Sequence, residues 1–196
     1  MKLSQIERLS AHPSEYLNLG ITADGQPVGS IPVPWEHTAH AFNMKTPDIY
    51  LEPSDLDDAA LMEHLRSYKV LGIYLFTPLE SYEFIRGFPT LWDIFILNAQ
   101  NMQDISFLND LPEWFMLFVH KAVIADLEPL RRKSEKRKMG SCCIGFSCCR
   151  VGDITALVET ERYISELMVV QPEGAGERQR WQAVKASTNR YYEIRP

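Results

Sequence analysis

The chain has 196 residues and a formal net charge of −6, with 45% hydrophobic and 23% charged residues. This composition is typical of a globular protein with a sizeable core, and it excludes wholesale disorder. The N-terminal stretch lacks the apolar core of a signal peptide, and no stretch approaches the roughly 20 apolar residues of a membrane span. We therefore expect a cytoplasmic protein.

Residues 1–45 are predicted to form an N-terminal cap. Three apolar residues at helical spacing predict one short amphipathic helix: Leu3, Ile6 and Leu9. The segment 21–28 predicts a β-hairpin around Asp24-Gly25. The alternating prolines of the segment 31–35 exclude helix and predict an extended chain.

An apolar pattern recurs from residue 46 onward. Each of five copies of the pattern contains a pair of apolar residues that are predicted to face inward: Leu71 and Ile73, Ile94 and Ile96, Leu117 and Val119, Ile144 and Phe146, Leu167 and Val169. The first three copies are offset from one another by 23 residues. A polar residue followed by an apolar residue recurs between them: Ser81-Tyr82, Asp104-Ile105, Asp126-Leu127 and Asp153-Ile154. We expect a further copy at the edge, over 48–51. Because one such unit cannot bury its apolar face alone, neighbouring units must stack.

The segments NMQDISFLNDLPEWFMLFV and VGDITAL resemble the leucine-rich repeat, specifically its short bacterial internalin-like type, over about residues 46–171. The resemblance implies an α/β solenoid, with a curved parallel sheet, short helical or 3₁₀ turns on the convex side and a cap at each end. Other residues replace the buried asparagine of the family: Ala99, Ala122 and Cys149, and Phe76 in the first repeat. We therefore expect a degenerate solenoid. A stack of amphipathic helices fits the short, bulky apolar segments less well.

Residues 172–196 are predicted to form a C-terminal capping tail, in which the alternation of RWQAVKAS and RYYEIRP predicts a second hairpin. Before the fourth copy, the segment Arg131–Lys138 carries six basic residues and one acidic residue, so the rest of the chain carries −11. A solvated loop is the simplest interpretation of this segment. It is also the one candidate for a nucleic-acid contact, which its lack of interleaved aromatic residues disfavours.

A cluster of four cysteines invites a metal-site interpretation: Cys142, Cys143, Cys148 and Cys149. If the cluster spans a strand, Cys142 and Cys148 are roughly 20 Å apart. Zinc–sulfur bonds of about 2.3 Å cannot bring both to one ion. The repeat register predicts that Cys149 is a core residue and that the other three lie near the strand surface, where His120 would complete only a partial site.

The remaining metal or catalytic candidates are His37 and His40, which form an EHxxH fragment with Glu36. The metalloprotease signature is HExxH on a helix, so a structural or exposed role is favoured. We expect no cofactor and no metal. An enzyme or metal-binding protein that uses His37 and His40, or the Cys142–Cys149 cluster, stays open as the alternative.

Leucine-rich repeats usually bind partners on the concave face of the sheet. The predicted register places nine residues there or at the strand starts: Tyr74, Trp92, Phe95, Leu97, Phe115, Met116, Phe118, His120 and Met168. Large exposed apolar patches mark interfaces, so these residues predict a non-enzymatic protein–protein interaction module whose partner is another protein or a second copy of the chain. A small toxin-neutralising, immunity-type protein is a related alternative. Two structural alternatives also stay open: a terminal segment covers the face, or a one-residue register change exchanges inward and outward residues.

Overall fold

The structure, a computed structural model, describes residues 3–12, 14–28, 45–111, 114–131, 142–159, 164–170, 172, 176–187 and 191–195. The predicted extended segment 31–35, His37, His40 and most of Arg131–Lys138 lie outside these residues. In the described part of the chain, no helix has the length and apolar character needed to cross a membrane.

The architecture is α/β and is built on an open eight-stranded sheet whose neighbouring strands all run parallel. From one edge to the other, its strands are β2 (Ile49–Leu51), β1 (Tyr16–Ile21), β3 (Lys69–Leu75), β4 (Asp93–Ile96), β5 (Met116–His120), β7 (Cys142–Ser147), β9 (Ile164–Val170) and β10 (Tyr191–Arg195). A separate parallel pair consists of β6 (Val123–Asp126) and β8 (Arg150–Asp153). The helix α1 (Leu3–Ser10) precedes the first strand. Other helices and 3₁₀ segments connect the strands: α2 (Ala59–Arg66), α3 (Ala156–Glu159), α4 (Glu177–Ser187), and the 3₁₀ segments Pro53–Asp57, Glu83–Gly87 and Ser106–Asp110. The predicted α/β class with a parallel sheet is confirmed.

The repeat register decides which residues lie side by side in the sheet. Five apolar residues are neighbours on consecutive strands: Ile73, Ile94, Leu117, Ile144 and Leu167. The predicted alignment is confirmed for the four strands β4, β5, β7 and β9. It is wrong for β3, where Ile73 rather than Leu71 lies beside Ile94. Because the shift is two residues and side chains alternate with a period of two, Ile73 and Tyr74 keep their predicted faces. The start of β3 does not, because its pairing with β1 is irregular there: Val70 lies in the main core, whereas Leu71, predicted to face inward, is only half-buried.

The polar column of the repeat forms turns. Four side chains each accept a hydrogen bond from the backbone N–H two residues later: Ser81 (3.3 Å), Asp104 (2.6 Å), Asp126 (2.9 Å) and Asp153 (2.8 Å). This contact fixes a tight turn. The predicted 3₁₀ turns are confirmed at Glu83–Gly87 and Ser106–Asp110.

Three of the four positions at which the leucine-rich repeat has asparagine hold small buried residues here, and the fourth holds the half-buried Phe76. Ala99, Ala122 and Cys149 are all buried, which confirms the core position of Cys149. The Ala99 N–H donates to the carbonyl of His120 at 2.8 Å, and the Cys149 Sγ–H donates to the carbonyl of Val119 at 3.4 Å. Contacts between neighbouring strands therefore satisfy backbone groups at these turns without an asparagine side chain.

The N-terminal region joins the sheet. The predicted helix is confirmed as α1, and its Leu9 is buried. A strand, β2, does form at the predicted edge copy, but β1 lies between it and β3. The predicted hairpin is wrong, because β1 runs parallel to both of its neighbours, β2 and β3. Asp24-Gly25 does mark a turn, in which Gly25 has a φ of +67°, but the chain does not return along β1.

The C-terminal region also differs from its prediction. The second hairpin is wrong, because the segment forms α4 and then β10, which pairs in parallel with β9. Trp181 and Val184, at helical spacing on α4, are both buried. Trp181 packs on Phe146 with ring centroids 5.8 Å apart, and Arg180 donates to the Val151 carbonyl of β8 at 2.9 Å. This segment is therefore helical because a helix buries one apolar face, although its weak alternation of polar and apolar residues predicts a strand.

Candidate functional site

Apolar residues lie on both faces of the large sheet. One face carries the main core, which includes Ile94, Leu117 and Ile144. The opposite face carries a separate cluster, which we call the second apolar layer: Tyr74, Phe95, Leu97, Met116, Phe118, Cys143, Met168 and Val170. Because successive side chains of a strand point to opposite faces, the residues between the core positions build this layer.

Aromatic rings form the centre of the second apolar layer. Tyr74, Phe95 and Phe118 are direct neighbours on β3, β4 and β5. The rings of Tyr74 and Phe95 are nearly parallel, at 3°, with centroids 5.1 Å apart. The rings of Phe95 and Phe118 stack at 25° with centroids 6.3 Å apart. The two-residue shift of β3 therefore brings Tyr74, rather than Gly72, into line with Phe95.

The nine predicted partner-binding residues divide into a buried and an exposed group. The buried group contains Tyr74, Phe95, Leu97, Met116, Phe118, His120 and Met168, and both Phe95 and Phe118 are only 1% exposed. The exposed group contains Trp92 and Phe115, which are 60% and 38% exposed. Of the nine predicted residues, only Trp92 and Phe115 therefore present a large apolar surface to a partner.

Trp92 and Phe115 are neighbours at the start of β4 and β5, and we call them the aromatic pair. Their ring centroids are 6.2 Å apart and the ring planes are tilted by 34°. The backbone holds both residues in the sheet, because the Trp92 N–H donates to the carbonyl of Leu71 and the Phe115 N–H donates to the carbonyl of Trp92, each at 2.8 Å. The aromatic pair is therefore an exposed apolar surface on a rigid support.

Two polar groups border the second apolar layer near the start of the strands. The Tyr74 hydroxyl accepts a hydrogen bond from the backbone N–H of Lys45 at 3.1 Å, and burial raises the pKa of Tyr74 to about 12. Burial also raises the pKa of the half-buried Asp93 carboxyl, and the charge of Lys45 opposes this rise.

A histidine and a serine close the other end of the layer. His120 and Ser147, the last residues of β5 and β7, are register partners with Nδ1 and Oγ 3.1 Å apart. His120 is 9% exposed and Ser147 is 0% exposed. Burial and the charge of Lys121 hold the pKa of His120 below its ordinary value. The repeat register predicts both residues at the same outward position of neighbouring strands, but the sequence gives no signal that they bond to each other.

The cysteines are divided between the two faces of β7. Cys142 lies in the main core and Cys143 in the second apolar layer, so their predicted positions near the strand surface are wrong. Cys148 is half-buried and follows the strand with a φ of +50°. Among the residues that the structure describes, no three His, Cys, Asp or Glu side chains are grouped so as to hold a metal ion. Of the basic segment, only Arg131 is described, and its Nε donates to Glu128 at 2.8 Å.

Comparison with known proteins found no match: no family model, no curated protein and no solved structure matches this chain. The geometry of this chain alone therefore indicates the candidate site. Exposure and rigid support select the aromatic pair, Trp92 and Phe115, as the surface most available to a partner.

Proposed function

We propose that this chain is a degenerate leucine-rich-repeat solenoid that acts as a non-enzymatic protein–protein interaction module and binds its partner through the aromatic pair. The repeat register of β4, β5, β7 and β9 and the polar turn column support the solenoid. The single observation that carries the function is the side-by-side exposure of Trp92 and Phe115 on hydrogen-bonded backbone.

The physical argument for binding is the energy that such a surface gains on burial. Aromatic residues are enriched at the centres of interfaces, and a few of them contribute most of the binding free energy. Trp92 and Phe115 lose little conformational freedom on binding because their backbone is already fixed in the sheet. The seven buried residues of the predicted site act in this proposal as the support that sets the positions of β4 and β5.

The test is the double variant Trp92→Ala/Phe115→Ala, compared with wild type as immobilised bait in extracts of the source cell. We expect the double variant to lose the proteins that wild type retains, since truncation of a binding hot spot costs about 2 kcal/mol, or about thirtyfold in Kd. To test whether the partner is a second copy of the chain, sedimentation equilibrium would compare the self-association of the purified wild type with that of the double variant.

The matched control is Tyr16→Ala, because Tyr16 is a third exposed aromatic residue, 51% exposed, at the start of β1. This variant is expected to retain the partner, and circular dichroism is expected to be native for all three proteins. Retention of the same partner by the double variant would contradict the proposal.

A further inference from the structure

A groove with a volume of about 530 Å³ lies on the main-core side of the sheet. One wall is the 3₁₀ segment Pro53–Asp57, which follows β2, and the other is the turn 79–84, which follows β3. The strand order explains the groove, because β1 lies between β2 and β3. Strands separated by a third strand are about 10 Å apart, and in the described part of the chain no 3₁₀ segment follows β1 to fill the space. The groove is therefore about as wide as one missing turn.

The next pair of 3₁₀ segments shows how two turns pack when no strand separates them. The strands β3 and β4 are adjacent, and the segments that follow them are in contact. Arg86 joins the two segments, since its guanidinium donates to Ser106 Oγ at 3.1 Å and forms an ion pair with Asp110. Beside it, Ile85 is fully buried in the main core. A basic and an apolar side chain therefore fix one turn against its neighbour.

The floor of the groove is apolar and its walls are preformed. Leu79 is buried, whereas Leu56 and Phe84 are half-buried and pack against the main core beneath the groove. In the two walls, Asp55 and Ser81 each accept a hydrogen bond from a backbone N–H, at 3.0 Å and 3.3 Å. Because these bonds already fix the backbone, a ligand would bind without ordering the groove first.

Two acidic side chains line the groove, Asp57 in one wall and Glu80 in the other, and both are exposed. Among the described residues, neither side chain has a hydrogen-bond or ion-pair partner. The described lining residues also include no basic side chain. By contrast, Glu83 and Asp110 of the adjacent turns both pair with Arg86. A cation in the groove would therefore meet two uncompensated carboxylates.

We propose that this groove binds a short segment of a partner protein in which apolar side chains lie between basic residues. The apolar side chains cover the floor, and the basic residues pair with Asp57 and Glu80, as Ile85 and Arg86 do between the adjacent turns. A second copy of the chain fits less well, because its strongly basic segment, Arg131–Lys138, contains no apolar residue. The groove shares no residue with the aromatic pair, so this inference goes beyond the proposed function and does not rest on it.

The test uses three fluorescein-labelled peptides and the full chain, with fluorescence anisotropy as the measurement. GSRLLRSG has two leucines between arginines. In GSELLESG glutamates replace the arginines, and in GSRSSRSG serines replace the leucines. We expect GSRLLRSG to bind most tightly of the three. Its binding is expected to weaken as salt is added, because the two carboxylates of the groove are exposed.

Two variants test the groove itself. Asp57→Asn/Glu80→Gln removes both charges with little change in size, and it is expected to weaken the binding of GSRLLRSG by about three- to thirtyfold, as the loss of two exposed ion pairs predicts. Ser54→Arg places a cation of the chain's own in the groove, because Ser54 is an exposed lining residue, and it should weaken binding to a similar extent.

Two controls separate this groove from other surfaces. Glu7→Gln/Glu63→Gln removes the same number of charges from exposed carboxylates that do not line the groove. Trp92→Ala/Phe115→Ala removes the aromatic pair. Both double variants are expected to bind GSRLLRSG as wild type does, so failure of the proposed function would leave this result unchanged.

Four results would overturn the proposal. GSRLLRSG may bind no more tightly than GSELLESG, or no more tightly than GSRSSRSG. Asp57→Asn/Glu80→Gln may bind it with full affinity. Finally, self-association of wild type in sedimentation equilibrium that this double variant abolishes would make a second copy the occupant. If the double variant does not fold by circular dichroism, full affinity in Ser54→Arg overturns the proposal instead.

Discussion

At the scale of single residues, the period of a strand fixes the face of a side chain but not its exposure. Phe95 and Trp92 belong to the same segment, yet Phe95 is buried in the second apolar layer and Trp92 is the most exposed of the large apolar residues described. The difference follows from position. Phe95 lies in the middle of its strand between Tyr74 and Phe118, whereas Trp92 precedes the first residue of β4.

This difference predicts opposite effects on stability. Phe95→Ala removes a buried ring from a stacked row, so we expect it to lower the free energy of unfolding by about 3 to 5 kcal/mol. Trp92→Ala removes an exposed ring and is expected to change the free energy of unfolding by less than about 0.5 kcal/mol. Urea unfolding followed by circular dichroism measures both. Equal losses in the two variants would show that Trp92 also supports the fold.

At the scale of elements, the sequence predicts the strands and turns whose positions depend only on the periodic pattern of apolar and polar residues. The strands β4, β5, β7 and β9 and the turns at Asp104 and Asp126 are predicted in the right place because apolar and polar columns coincide there. The register of β3 is predicted incorrectly, because the apolar residues Leu71, Ile73 and Leu75 alternate along the chain. In the sequence, either the first two or the last two of them can pair with Ile94 and Ile96 of β4. The helix α4 is missed because only tertiary burial of Trp181 and Val184 distinguishes its helical face from an alternating tail.

The polar turn column gives an element-scale prediction. Asp104 Oδ1 accepts from the Ser106 N–H at 2.6 Å and starts the 3₁₀ segment Ser106–Asp110, whose Leu108 is buried in the main core. Asp104→Ala leaves this N–H without its side-chain acceptor and is expected to cost about 1 kcal/mol in urea unfolding. Asp104→Asn keeps an oxygen at the same place and should cost only part of this. An unchanged urea midpoint in Asp104→Ala would mean that packing of Leu108 alone sets the turn.

At the scale of the whole molecule, the open sheet has two edges, and an exposed edge is a site of association. The edge beyond β9 is occupied by β10, which pairs over five residues from Tyr191 to Arg195. The helix α4 packs its Trp181 on Phe146 of β7 and joins the main core. The C-terminal segment therefore adds one strand to the sheet and two apolar residues, Trp181 and Val184, to the main core. The sequence predicts this segment only in general form, as a capping tail.

Removal of residues 173–196 tests this role. The truncated chain exposes the edge of β9 and the surface of Phe146 that Trp181 covers, and exposed apolar surface favours association. We expect self-association in size-exclusion chromatography and a lower urea midpoint than in the full chain. The point variant Trp181→Ala keeps β10 and removes only the apolar anchor, so it is expected to lose about 3 to 5 kcal/mol of stability and stay monomeric. A truncated chain that is monomeric and as stable as the full chain would mean that the sheet is complete at β9.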